Sequence, residues 1–91
     1  MADILSTIDE LRQTGAQFLR ADLAAALTFL EIACSTEVPE TRERNKRNAV
    51  KACQTVSRLI PKAHLLPADE AAITRLRDEL KRKLEALGEA V

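Results

Sequence analysis

Apolar residues recur at three- and four-residue steps through the first third of the chain. Ile4, Ile8, Leu11, Gly15, Leu19, Leu23, Ala26, Leu30 and Ala33 mark one face of a helix. Ile4, Gly15 and Ala26, and likewise Ile8, Leu19 and Leu30, are spaced by eleven residues, which suits a long, nearly straight helix. Glycine costs about 1 kcal/mol relative to alanine in a helix interior. The expectation over 3–35 is therefore either one long helix or two helices divided near Thr14-Gly15, with a break or bend there the favoured reading. From Leu19 to Cys34 the polar positions shrink to Arg20, Asp22, Thr28 and Glu31. A helix apolar around most of its circumference has to be covered on several sides, and two partner helices cover only part of it. Leu23, Leu27, Phe29, Leu30 and Ile32 are thus predicted to be shared between the core and an interface with another helix.

Val38-Pro39 is the first clear punctuation. The residue before proline is pushed toward extended backbone, which makes Val38 a cap and Pro39 the first helical residue. The second helix is predicted over 39–60, with Ala49, Cys53, Val56 and Ile60 on its inner face and Pro61 closing it. Leu65 and Leu66, in the following connector, are expected to cover a bundle end. Pro67-Ala68-Asp69-Glu70 opens a third helix, over 67–87, with acids in the first turn where the macrodipole favours them. Its stripe is Ile73, Leu76, Leu80, Leu84 and Leu87, and Gly88 follows as a terminator. Asp78–Arg82, Glu79–Lys83 and Lys81–Glu85 are the expected outer ion pairs. Short loops between long helices favour antiparallel neighbours. The predicted fold is an all-α antiparallel bundle of three long helices in a single helical domain, 1–91.

Composition agrees with a helical class: 46% of the 91 residues are apolar and 31% charged, with two aromatics and two glycines. No basic-then-apolar leader opens the sequence, and the longest uncharged apolar-rich run, Leu23–Leu30, is far too short to cross a bilayer. The expected compartment is cytoplasmic, where Cys34 and Cys53 remain thiols. A hairpin turning near residue 37 also puts those cysteines too far apart to bridge. Net charge is zero, yet residues 1–40 carry −5, residues 41–64 carry +6 and residues 65–91 carry −1. Basic residues in the opening turns of a helix oppose its dipole. Arg42, Arg44, Lys46, Arg47 and Lys51 are accordingly candidates for anion binding, of nucleic acid or an acidic partner. The competing reading is a solvated face neutralised by Glu40–Arg44, Glu43–Arg47 and the acidic first helix. No aromatic interleaves the basic run, so base stacking has no platform. Asn45 and Asn48 lie among these residues and are expected to be exposed, or at most at an interface edge.

Catalytic signals are absent from the sequence. His64 is the sole histidine, with no acid or nucleophile placed by sequence to pair with it. Two distant cysteines and one histidine do not make a zinc site. No phosphate loop or nucleophile elbow occurs. Neither an enzyme nor a cofactor is expected, and no small-molecule substrate is evident. A small-molecule or lipid pocket between the helices is a third possibility, whose ligand nothing in the sequence indicates.

Ala49, Cys53, Val56 and Pro61 resemble the second half of a tetratricopeptide repeat, with small residues at four- and three-residue steps and then a closing proline. The resemblance covers about 15 residues. The chain departs from the repeat in its first helix, in the length of its helices and in lacking a second copy. The stretch from Asp22 to Pro61 also resembles short uncharacterised bacterial helical proteins. Both resemblances imply a helical hairpin that offers a face to a partner, and carry over no functional residue. The expected function is a non-catalytic interaction module that self-associates or binds another helical protein, with polyanion binding as the rival.

Overall fold

The computed structural model describes residues 4–91, with the side chains of Thr7, Ile8 and residues 10–91. The expected helical start at Asp3 and the inward face assigned to Ile4 lie outside what is described. Three helices follow one another: α1 over Ile4–Ser35, α2 over Pro39–Leu59 and α3 over Pro67–Ala86. A 3-10 turn, Ile60–Lys62, prolongs α2 past the point where Pro61 stops α-helical hydrogen bonding. Pro39 and Pro67 sit in the first turns of α2 and α3, after extended Val38 and Leu66. The helices pack as an antiparallel bundle, and no helix among the described residues is long and apolar enough to cross a membrane.

Small residues let the helices approach closely. On α1 the buried side chains are Ala16, Leu19, Leu23, Ala26, Leu30 and Ala33, a three-four alternation. Asn45, Ala49, Cys53 and Val56 of α2 meet them, continued by Ile60, with Ile73, Leu80 and Leu84 of α3 closing the core. Leu65 packs against this core from the connector, whereas Leu66 and Leu87 stay largely exposed. A fully buried Leu or Ile contributes about 1.5–3 kcal/mol.

Helix α1 runs without interruption through Gly15, contrary to the expected break. A Cβ placed on Gly15 would meet the Ala63 Cβ at 3.8 Å and the Ala63 carbonyl oxygen at 3.9 Å, so the connector passes just beside the glycine. One weak helix former costs less than ending and renucleating a helix whose inner face is already committed to the core.

At the other end, α3 stops in a Schellman arrangement. Gly88 has φ +85°, its N–H donates to the Glu85 carbonyl at 2.9 Å, and the Glu89 N–H donates to the Leu84 carbonyl at 3.1 Å. This reversal sends the last residues back along the bundle. Glu89 there meets Lys46 at 3.2 Å, and Val91 packs against the core.

Alpha-helical rise is about 1.5 Å per residue, so α1 is about 48 Å long and α2 and α3 about 30 Å. The excess lies at the α1 N-terminus. Among the described residues, the buried ones on α1 begin at Ala16, and the connector crosses at Gly15, leaving about three turns of helix beyond that point. The molecule measures 56 × 20 × 16 Å.

Candidate interaction surfaces

The five residues expected to serve both core and interface separate into three environments. Leu23 and Leu30 are 0% and 5% exposed, enclosed by the chain's own helices. Leu27 is half-buried and, with Leu30, Glu31 and Cys34, lines one wall of a groove of about 340 Å³ whose other wall is Lys83, Ala86 and Leu87. Phe29 is half-buried and packs against the edge of the core, and Ile32, on the outer side of α1, is 39% exposed. The apolar circumference read from the sequence is largely alanine on its exposed side: Ala21, Ala24 and Ala25 face solvent. Alanine counts as apolar in a pattern, yet exposes little surface and is the best helix former. The demand for cover is consequently smaller in this segment than the pattern suggests.

The larger exposed side chains of α1 lie elsewhere. Leu11 is 67% exposed, Phe18 55% and Ile8 38%. Leu11, Phe18, Ala25, Phe29 and Ile32 are separated by seven, seven, four and three residues, which places them along one outward line of the helix. Phe18 also borders a shallow apolar depression of about 200 Å³, formed with Gly15, Leu19, Leu59, Lys62 and Ala63 at the end of the bundle. Just beyond, the Arg12 Nε is buried with no hydrogen-bond partner.

The basic run on α2 is divided in the fold. Lys46 bridges Glu43 at 3.1 Å and Glu89 at 3.2 Å, and these two hydrogen-bonded carboxylates raise its pKa above 10.5. Arg42 donates to the Thr36 carbonyl at 2.9 Å, tying the α1–α2 turn to α2. Arg44, Arg47 and Lys51 remain exposed and, among the described residues, have no ion-pair partner. They surround a hollow shared with Asn48, Val50 and Glu89. The expected neutralising pairs Glu40–Arg44 and Glu43–Arg47 do not form among the described residues, and Glu43 turns to Lys46 instead. Asn45 is buried at 7% exposure, against expectation, and its Nδ2 donates to the Thr41 carbonyl at 2.8 Å. That internal hydrogen bond is what allows an amide to sit in an apolar layer.

On α3, the expected Glu79–Lys83 pair forms at 3.2 Å. Asp78 pairs with Arg77 at 2.7 Å rather than with Arg82, since Arg77 lies in the α2–α3 groove, where it also donates to the Ser57 hydroxyl at 3.1 Å. Lys81–Glu85 is not formed among the described residues. Arg20 of α1 reaches Asp69 in the first turn of α3 at 3.0 Å. Sequence reasoning missed the returning tail; Gly88 was its one local signal, and the Lys46–Glu89 pairing of distant residues had none.

Both cysteines are free, Cys34 exposed and Cys53 buried. Burial pushes the Cys53 thiol pKa above 9.0, partly opposed by Arg77 and Lys81 nearby. His64 is exposed in the connector at φ +50°, a turn conformation that histidine tolerates better than most side chains. Among the described residues no cluster of three His, Cys, Asp or Glu side chains is placed to hold a metal ion. The residues that carried the tetratricopeptide resemblance serve the core (Ala49, Cys53 and Val56) or the 3-10 turn (Pro61), within helices of 32 and 21 residues. Compared with protein families, curated proteins and solved structures, the chain finds no match.

Proposed function

We propose that the chain is a non-catalytic helical interaction module that self-associates. The observation carrying this reading is the outward apolar line of α1: Leu11, Phe18 and Ile32 are exposed on a helix whose inner face is packed from Ala16 to Ala33. Scattered exposed apolar residues are ordinary on a small protein, but a row along one helix face is a surface suited to another helix. The charged groups of the fold support a scaffold role. Arg20–Asp69, Lys46–Glu89 and Arg77–Ser57 each tie one segment of the bundle to another.

Association of folded chains stabilises them by mass action, so the melting temperature should rise with protein concentration. A melting temperature constant over a hundredfold dilution series that spans low micromolar concentrations would sink the self-association reading.

A second reading, polyanion binding, is favoured by the unpaired Arg44, Arg47 and Lys51 around one hollow. It predicts retention on an immobilised polyanion at low salt, released steeply as salt rises. Passage without retention at 50 mM salt would exclude it.

A further inference from the structure

We infer that the N-terminal overhang of α1 is the docking surface for a second copy of this chain, packed antiparallel about a two-fold axis. The inference rests on the self-association reading and assigns it to a particular segment. Three observations converge on it.

Surface area is the first. A folded monomer of 10.1 kDa exposes about 5,300 Å² on the usual scaling with mass. This chain exposes 6203 Å², an excess of about 900 Å². A standard protein interface takes about 800 Å² from each partner. The radius of gyration tells the same story, at 15.3 Å against about 12 Å for a compact chain of this length. The overhanging turns of α1 account for the elongation.

Second, the overhang carries the most exposed large apolar side chain described, Leu11, between Ile8 and Phe18. Ile8, Leu11, Gly15 and Phe18 are spaced three, four and three residues apart, the alternation that a paired helix requires. Gly15, between them, lies against the chain's own connector at Ala63, and the depression beside Phe18 extends the apolar surface onto Leu59 and Ala63.

Third, charge selects the orientation. Glu10 lies toward the free end of the overhang, Arg12 and Arg20 toward the bundle. Antiparallel pairing brings the Glu10 turn of one copy toward the Arg12 turn of the other. Parallel pairing would align like charges and crowd both bundles on the same side. An antiparallel pair also closes on itself, using the same patch on both subunits.

Sedimentation velocity on the wild type and on Leu11→Glu, Phe18→Glu and Ile32→Glu at matched concentration tests the assignment. Leu11→Gln is a milder companion, and helicity is followed by circular dichroism. The expected result is a wild-type dimer whose dissociation constant weakens at least tenfold in Leu11→Glu and Phe18→Glu with helicity retained, and stays within about threefold in Ile32→Glu. A wild-type dimer unaffected by Leu11→Glu and Leu11→Gln, or lost equally in Ile32→Glu, overturns the overhang assignment while leaving self-association standing. A wild-type monomer at several hundred micromolar overturns both.

Discussion

Cys34 and Cys53 carry the same thiol in opposite surroundings. Cys34 lies exposed along the α1–α3 groove, whereas Cys53 is 1% exposed between α2 and α3. A thiol-specific reagent at neutral pH should label Cys34 at once and Cys53 at least a hundredfold more slowly, at a rate set by opening of the bundle. Equal labelling of both under native conditions would contradict the packing of α2. The raised pKa of Cys53 gives a pH dependence of definite sign. Its folded value lies above the 9.0 of an ordinary thiol, so the neutral thiol's contribution is fully present below pH 9 and is lost as pH rises through the folded value. Lys46, raised above 10.5, acts in the same direction at higher pH. Denaturant melts should therefore show stability declining from about pH 9 upward. Cys53→Ala should lower the neutral-pH stability yet flatten the first part of that decline; an unchanged slope would remove Cys53 from the account.

The two glycines show what was readable at the scale of elements and what was not. Gly88 follows the last apolar position of a clean stripe, and its role as a terminator could be read from order alone. Gly15 interrupts an equally clean stripe, and propensity alone suggested a break. Whether a helix survives such a residue depends on tertiary packing, here the register of Ala16, Leu19 and Leu23 against α2 and α3, which propensity does not contain. Replacement by alanine should accordingly act with opposite signs. Gly15→Ala places a methyl at ordinary contact distance from Ala63 and should stabilise the fold by about 0.5–1 kcal/mol. Gly88→Ala forces a side chain onto φ +85° and should cost about 1 kcal/mol. Chemical denaturation of both variants checks the pair, and a loss of stability in Gly15→Ala would mean that the connector is tighter against α1 than described. Helix boundaries at Pro39 and Pro67 were legible to the residue because proline acts locally. Burial of Asn45 and the Lys46–Glu89 contact were not, because both depend on which segments meet.

For the whole molecule, the sequence pattern pointed toward self-association for a reason that the fold relocates. Counting alanine with leucine made Leu19–Cys34 look under-covered, whereas Leu19, Leu23 and Leu30 are enclosed, Leu27 and Phe29 are half-buried, and Ala21, Ala24 and Ala25 make up much of its exposed apolar side. The uncovered surface lies instead on the overhang and along the outward line from Leu11 to Ile32. What could not be read from periodicity is the difference in length between α1 and its partners, which leaves Leu11 beyond the reach of α2 and α3. An apolar contact is insensitive to screening, in contrast to one made through Arg44, Arg47 and Lys51. Solution mass by light scattering on a sizing column, at low and at high salt, therefore tests the central claim most directly. The account predicts a mass near twice 10.1 kDa at both salt concentrations. A mass of 10.1 kDa at high protein concentration, or a dimer that dissolves as salt is raised, would contradict it.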